Sequence, residues 1–270
     1  MQALDRQFAA LGAMETLARQ DTPVHRLDPR AKLLTTLAFV AAVVSCDRYA
    51  ISVLLPFLVY PVVLASVGRV PAGCILRKVA MVSPFAILVG VFNPLFDRTP
   101  WLSLGGLELS GGWVSFLSIL LRFGLTVGTT LILLACTGIY RLGLAASSLG
   151  VPGVFVMQVL FLYRYLFVLW QEALRTVRAI LLRSPDQERL PMAAYTHFLG
   201  ALLLRTLDRA ERIHTAMRCR GFAGQVCLLQ PLRLRAADVL FTVGWCACFV
   251  AFRCGDLSRR LGSLITEGHP

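Results

Sequence analysis

The sequence has little charge, and almost none of its positive charge comes from lysine. Only 16% of its 270 residues are charged, whereas soluble domains carry about 25%. Hydrophobic residues make up 57% of the chain, and its mean hydropathy is +0.69. Of the 27 basic residues, only Lys32 and Lys78 are lysine. This composition excludes an ordinary soluble domain and predicts an all-α polytopic membrane protein.

The sequence also lacks the short motifs on which common catalytic and metal sites are built. It has no Gly-x-x-x-x-Gly-Lys-Ser/Thr phosphate loop, no His-Glu-x-x-His zinc motif and no Gly-x-Ser-x-Gly elbow. Its eight cysteines form no Cys-x-x-Cys pair, and its four histidines lack helical ligand spacing. No nucleic-acid recognition module is apparent. We therefore expect no metal, no cofactor and no nucleic acid bound by this chain.

A membrane-embedded enzyme stays an alternative. Asp97, Glu108 or Arg122 would then have to supply the chemistry, and the apolar segments hold no pair of carboxylates for acid–base catalysis. We expect a non-catalytic protein.

Residues 1–31 form a polar leader without a long apolar core, so we expect no cleavable signal peptide. Asp28 is positioned to cap a helix that begins at Pro29. An excess of basic residues before the first membrane span favours a cytoplasmic N-terminus. Here those residues are Arg26, Arg30 and Lys32.

Residues 32–139 are predicted to form a membrane domain with four spans, and residues 236–254 the final span. Residues 99–112 between the third and fourth spans could form a small external hairpin around Gly105-Gly106. Either Phe155–Trp170 or a split of the fourth span could add a crossing, so about five spans are expected, within a range of four to six. The predicted spans are Leu33–Ser45, Ile51–Val67, Val79–Phe96, Trp113–Ile139 and Asp238–Phe252.

Two arginines interrupt apolar helices. Arg122 falls within the fourth span, where a charge is costly unless it faces protein or water. It either contacts another helix or subunit, or extends its side chain to the interface. Arg164 interrupts the apolar half of the predicted helix Phe155–Ser184 and is a second candidate for contact between helices.

Residues 140–235 are rich in arginine, which favours the cytoplasmic side, and residues 255–270 form a polar tail. Two long amphipathic helices are predicted here, Phe155–Ser184 and about Met192–Arg220. The first ends at Arg183-Ser184. The second ends at Cys219-Arg220-Gly221, where Gly221 suits a left-handed cap. An arginine at such an end can project into another protein and bind carboxylates or carbonyls.

The chain resembles the transmembrane T component of energy-coupling-factor transporters, most closely the CbiQ-type subunit of cobalt uptake. The order and spacing of six segments, spread over nearly the whole chain, carry the resemblance. They are His25-Arg-Leu-Asp-Pro-Arg-Ala-Lys32, Phe92-Asn-Pro-Leu-Phe-Asp-Arg98, Ser115-Phe-Leu-Ser-Ile-Leu-Leu-Arg122, Leu149-Gly-Val-Pro152, Phe161-Leu-Tyr-Arg-Tyr-Leu166, and Leu203-Leu-Arg-Thr-Leu-Asp-Arg-Ala-Glu-Arg212 leading to Ala216-Met-Arg-Cys-Arg-Gly-Phe222.

The resemblance implies that residues 140–235 are cytoplasmic coupling helices whose two Ala-Arg-Gly-like ends dock on two ATPase subunits. Arg183 and Arg220 would be the docking arginines. The second motif is well kept, with Cys219 in place of alanine, whereas the first keeps only its arginine and has Ser184 in place of glycine.

The resemblance further implies a bacterial inner-membrane complex with a membrane S component that binds the substrate, and with a small accessory membrane subunit as a further candidate partner. ATP and Mg would be bound by the ATPases. Cobalt is the expected substrate, with nickel or a vitamin as alternatives. Alternatively, the chain is an autonomous membrane protein whose basic helices bind anionic lipid or another partner. Arg183 and Arg220 would then matter no more than Arg175 or Arg209.

Overall fold

The computed structural model describes residues 15, 17–18, 20–46, 51–96, 100–104, 107–183, 192–222 and 234–254. Most of them are helical, and one short hairpin is present, in agreement with the predicted all-α membrane protein. The chain divides into two compact units, residues 1–145 with 231–270, and residues 146–230.

The elements follow one another with short connections. The second unit contains the helices Gly153–Arg183 and Met192–Cys219 with the last residues of the helix before them, and the first unit contains the other elements. In chain order the elements are α1 (Pro23–Arg26), α2 (Pro29–Val44), α3 (Ile51–Leu54), a 3₁₀ turn (Pro56–Leu58), α4 (Val59–Val67), α5 (Ala72–Phe96), β1 (Pro100–Leu104), β2 (Leu107–Ser110), α6 (Gly111–Thr137), α7 (Ile139–Ser148), α8 (Gly153–Arg183), α9 (Met192–Cys219) and α10 (Ala236–Cys254).

Several predicted features are present at the predicted residues. The carboxylate of Asp28 accepts the backbone N–H of Arg30 at 2.8 Å, so Asp28 caps α2 as expected. The strands β1 and β2 pair antiparallel, which confirms the hairpin, although its Gly105-Gly106 turn lies outside the described residues. The two long basic helices are also present as α8 and α9.

Two predicted spans have different boundaries. The predicted span Ile51–Val67 consists of three helical pieces, because Pro56 has no N–H to donate and begins a 3₁₀ turn. The helix of the span predicted at Val79–Phe96 begins at Ala72, so it includes Arg77 and Lys78, which precede the predicted span. Long basic side chains at a helix end can extend along the helix toward water, so they need not stop it.

Four of the described helices are long and apolar enough to cross a membrane, judged by length and composition: Ala72–Asn93, Gly112–Thr137, Gly153–Ile180 and Ala236–Cys254. These support a polytopic membrane protein. The helix of the first predicted span, α2, has 16 residues, just below the lower end, about 17 residues, of the range for a spanning helix. Gly153–Ile180 falls in the region predicted to be cytoplasmic, and the placement of that region stays a prediction.

The helices of the first unit meet at two ends of the bundle. At one end, the Asp28 backbone N–H donates to the Asp238 carboxylate at the start of α10 at 2.8 Å. At the same end, Lys32 Nζ in α2 donates to the Cys136 carbonyl near the end of α6 at 3.3 Å. A Cβ built on Gly68, just after α4, would lie 2.7 Å from the Cys136 sulfur. We call this end the leader end.

The opposite end contains the last residues of α2 and α10. Arg253 Nη1 in the last turn of α10 donates to the Ser45 carbonyl, which follows α2, at 2.9 Å. Because both their beginnings and their ends are joined, α2 and α10 run parallel, while α6 runs antiparallel to them.

An aromatic cluster fills the core between α2, α4 and α10. The ring of Tyr60 lies 4.9 Å from that of Phe39, 4.8 Å from that of Trp245 and 5.2 Å from that of Phe249. Its hydroxyl lies 3.2 Å from the Thr36 hydroxyl, so this buried polar atom has a hydrogen-bond partner. Such tilted and edge-to-face pairs add to the stabilisation from burial.

Candidate functional site

The two basic helices end in exposed residues. Arg183 is the last residue of α8 and is exposed; its neighbour Ser184 lies outside the described residues. Cys219 is the last residue of α9, and both Cys219 and the following Arg220 are exposed. We call Arg183 and Arg220 the two arginine tips.

The second tip is held by a left-handed cap. Gly221 has φ +79°, its N–H donates to the Arg218 carbonyl at 3.0 Å, and the Phe222 N–H donates to the Met217 carbonyl at 3.1 Å. These are the two hydrogen bonds of a Schellman motif, and they confirm the predicted cap. The backbone of Arg220 is therefore fixed while its side chain stays exposed.

The two tips are far apart along the helix pair. Glu172 of α8 pairs with Arg205 of α9 at 3.6 Å, whereas Val154 at the start of α8 lines the same groove as Phe222. The helices therefore run in opposite directions, and Arg220 lies near the start of α8. At 1.5 Å per residue, the start and the end of the 31-residue helix α8 are roughly 45 Å apart. One partner groove could not hold both tips.

An open apolar groove separates α8 from α9. Its volume is about 640 Å³. Most of its lining residues are apolar, and its few polar lining residues include Arg209 and His214. Its large apolar and aromatic lining residues include Met157, Phe161, Tyr165, Leu207, Ile213 and Met217.

Large apolar side chains on the same helices are also exposed. Leu182 beside the first tip is 84% exposed and Leu204 in α9 is 65% exposed. Leu199, Leu203 and Leu207 are exposed at a spacing of four residues, which places them on one side of α9. An apolar surface of this kind marks contact with a protein partner or a membrane.

The two intrahelical arginines have different surroundings. Arg122 is half-buried, and its Nη2 donates to the carbonyl of Cys46 just beyond the end of α2 at 2.7 Å. It therefore joins α6 to the end of a neighbouring helix, where free carbonyls attract a cation. Arg164 is exposed, and its guanidinium carbon lies 5.9 Å from the ring centre of Tyr165, the next residue in α8.

A buried polar cluster at the leader end was not expected from the sequence. Asp238 is 2% exposed, and its two oxygens accept the backbone N–H groups of Asp28 and Arg235, each at 2.8 Å. Lys32, expected only as a positive charge near the membrane, is also 2% exposed. The available sequence signal was an acidic residue in the first turn of α10, where a carboxylate can accept from the preceding N–H groups.

His25 belongs to the same end of the unit. Its Nε2–H donates to the Leu17 carbonyl at 3.1 Å, because a carbonyl can only accept. In the neutral ring Nδ1 then accepts from the Thr22 hydroxyl at 2.7 Å. Burial, followed by the charge of Lys32, lowers the pKa of His25. The neutral ring is thus favoured in the folded protein.

The described residues contain no group of three or more His, Cys, Asp and Glu side chains that could hold a metal ion.

Comparison with known proteins gives consistent matches over most of the chain. The family CbiQ, described as cobalt transport protein, matches residues 20–228, a range that includes both arginine tips. The chain is 28% identical over 235 residues to the energy-coupling factor transporter transmembrane protein EcfT of Thermanaerovibrio acidaminovorans, covering 79% of this chain and 84% of that protein. It is 27% identical over 220 residues to EcfT of Bacillus subtilis, covering 74% and 81%. An uncharacterized protein of Methanocaldococcus jannaschii is 23% identical over 222 residues, covering 77% and 80%.

Proposed function

Because the chain belongs to the CbiQ family of cobalt transport proteins, we propose that it is the transmembrane coupling subunit of an energy-coupling-factor importer. In this proposal two cytoplasmic ATPases hydrolyse ATP with Mg, a separate membrane S component binds the substrate, and this chain transmits movement between them without catalysing a reaction. We propose the bacterial inner membrane as its location, with a cytoplasmic N-terminus.

The proposal depends on the second unit lying on one side of the membrane. The chain leaves the first unit within α7, after Ala145, and returns to it at Pro231, shortly before α10. Lys32 contacts the Cys136 carbonyl near the point of departure, and Asp28 contacts Asp238 near the point of return. Both points are therefore at the leader end of the bundle.

This common origin argues against a membrane crossing by α8, although its length and composition would allow one. A single crossing would leave the chain on the wrong side, so a second crossing would be needed before α10. Helix α9 is too polar to qualify among the described helices. The two segments that flank α9, residues 184–191 and 223–233, are each shorter than the roughly 20 residues of a spanning helix. We propose that α8 and α9 both stay on the leader side.

The leader side is proposed to be the cytoplasm. Basic residues lie at the end of α1 and the start of α2, and further arginines lie along α8 and α9. By the positive-inside rule, this distribution supports a cytoplasmic leader side. Five transits then follow, through α2, the pieces from α3 to α4, α5, α6 and α10. The hairpin of β1 and β2 would lie outside.

The two exposed arginine tips carry the proposal. Arg220 has a fixed backbone beside the Gly221 cap. Arg183 lies at the opposite end of α8, a helix roughly 45 Å long. A guanidinium presents a planar set of donors to carboxylates and carbonyls. Two separate tips suit two separate docking grooves, which supports a pair of ATPase subunits. Cys219 and Gly221, with Ser184 at the other end, would flank the docked arginines.

Cobalt is the substrate that we propose, on the strength of the family description. Since the S component would select the substrate, nickel or a vitamin stays an alternative. A small accessory membrane subunit is a further candidate partner.

Affinity purification from native membranes in mild detergent tests the proposal. We expect mass spectrometry to identify two ATPase chains and a small membrane protein with the tagged chain, and we expect ATP hydrolysis by the purified complex. Purification of the chain with bound lipid but without a protein partner would favour the autonomous membrane protein instead.

A further inference from the structure

One short segment contacts the first unit on both sides of the second unit in the chain, shortly before the chain leaves the first unit and shortly after it returns. This segment is Thr22–Lys32, which we call the clasp. On the departing side, Lys32 Nζ donates to the Cys136 carbonyl at 3.3 Å. Arg141 Nη1, three residues beyond the Gly138 break between α6 and α7, contacts the His25 carbonyl at 3.5 Å.

On the returning side, the clasp is held by a single buried carboxylate. One oxygen of Asp238 accepts the Asp28 N–H, and the other accepts the Arg235 N–H, each at 2.8 Å. Asp28 itself caps α2 through Arg30. The start of α10 and the start of α2 are thus fixed to each other through one side chain.

These contacts are costly to build and specific in geometry. Lys32 and Asp238 are each 2% exposed, and burying a charge requires compensating hydrogen bonds. Apolar side chains of similar volume often stabilise as well as or better than buried charged groups. Directed hydrogen bonds fix the relative positions of the joined groups, which apolar packing does less strictly. The clasp therefore defines the separation and orientation of the two attachment points.

We propose that Lys32 and Asp238 are positioning residues, and that the clasp locks the two attachment points of the second unit into one rigid base. The inference rests on the proposed function, because a rigid base matters when force passes through the second unit. If the two attachment points can move relative to each other, ATP hydrolysis should continue while less of the movement is transmitted to the first unit. Asp238 lies beyond the matched family range, residues 20–228.

The functional test measures cobalt uptake and ATP hydrolysis by the complete complex in proteoliposomes, with radioactive Co²⁺ as the probe. For Asp238→Ala and Lys32→Met, we expect uptake per ATP hydrolysed to fall at least ten-fold, while co-purified ATPase stays within two-fold of wild type. Asp238→Asn keeps one acceptor oxygen, so we expect an intermediate loss of about three-fold.

Asp21→Asn is the matched control in the same part of the chain. It removes the ion pair between Asp21 and Arg26, whose side chains are 70% and 69% exposed. We expect uptake per ATP to be unchanged. An unchanged ratio in Asp238→Ala and Lys32→Met as well, or parallel losses of uptake, hydrolysis and bound ATPase, would overturn the inference. If Asp238→Ala does not accumulate, Asp238→Asn and Lys32→Met carry the test.

Hydrogen exchange of the full chain in detergent gives a test that does not depend on any partner. In Asp238→Asn we expect faster exchange in peptides covering residues 26–32 and 135–141, as well as around residue 235. Faster exchange around residue 235 alone would overturn the clasp. Failure of wild type to bind ATPases would instead count against the proposed function and leave this measurement interpretable.

Discussion

The two units differ in how much of a buried core they contain. In the first unit, Phe39 and Tyr60 are fully buried, and charged groups such as Lys32 and Asp238 are buried with hydrogen-bond partners. In the second unit, leucines of α9 are mostly exposed and an open groove lies between the helices. The first unit thus encloses a buried core beneath exposed apolar residues such as Phe85 and Leu240, whereas the second has an open groove between its two long helices.

This difference separates stability from assembly. Buried side chains of the first unit should determine whether the chain folds, because their loss leaves cavities or unpaired groups. Exposed side chains of the second unit should determine what the chain binds. Substitutions in the two units should therefore give different readouts, and four predictions test the contrast.

The largest effect is expected from the aromatic core. Phe39 is 0% exposed, so Phe39→Ala should lower the free energy of unfolding by about 3–5 kcal/mol. The matched change in the second unit is Leu204→Ala, at a side chain that is 65% exposed, and it should cost less than about 0.5 kcal/mol. Denaturant unfolding in detergent, followed by tryptophan fluorescence, measures both. Equal losses would contradict the proposed division of roles.

The next effect concerns the second arginine tip. Arg220→Glu should reduce ATPase co-purification at least 30-fold, corresponding to about 2 kcal/mol for a central interface residue, with the chain still inserted in the membrane. Arg220→Lys should also weaken binding, since lysine has no planar fork. Arg183→Glu should weaken it less, because its surrounding motif is less well kept.

Arg175→Glu is the control for these charge reversals. Arg175 is exposed in α8 but stands away from either helix end. We expect less than a three-fold loss of bound ATPase. Equal losses for the variants at positions 175, 183 and 220 would indicate general electrostatic adhesion, as expected for anionic lipid.

A smaller effect is expected at the cap of α9. Gly221 has φ +79°, so Gly221→Ala should cost roughly 1–2 kcal/mol in a left-handed conformation. The cap would loosen and ATPase binding should fall several-fold. Gly200→Ala lies within the same helix, where a Cβ would meet no atom within 4 Å, and should stabilise α9 by about 0.5–1 kcal/mol. Thermal unfolding and co-purification of both variants compare the two sites.

The smallest effect is a pH dependence from His25. Its pKa is lowered in the folded protein by burial, whereas an unfolded chain keeps a histidine pKa near 6.5. Below pH of about 6.5 the unfolded state therefore binds more protons, so stability falls as the pH drops. We expect a lower Tm at pH 5.5 than at pH 7.5, with a smaller difference in His25→Gln. An identical difference in the variant would show that another group is responsible.

Local signals in the sequence predicted the helix ends well. Asp28 before Pro29 and Gly221 after Arg220 act through neighbouring backbone groups, so the sequence alone specifies them. Strand alternation on either side of Gly105-Gly106 likewise predicted the hairpin. Each of these features depends on residues within one or two turns of each other.

Features that depend on distant residues were not predictable in this way. Asp238 lies 210 positions from its partner Asp28, and nothing in the local sequence shows that one of its oxygens accepts the Asp28 N–H group. Lys32 illustrates the same limit, since a basic residue before an apolar run looks like an interfacial charge until α6 is packed against it. The roles of the arginine tips stay predictions for a related reason, because their partners are separate chains.

The parallel course of α2 and α10 has a practical consequence for engineering. If both helices enter the bilayer at the leader end, a reporter protein fused before α1 and another fused after Cys254 would lie on opposite sides of the membrane. Circular permutation that joins these two positions would need a linker able to cross the lipid. In the proposed topology the connection between α8 and α9 lies on the cytoplasmic side, so it would be a better place for the new termini.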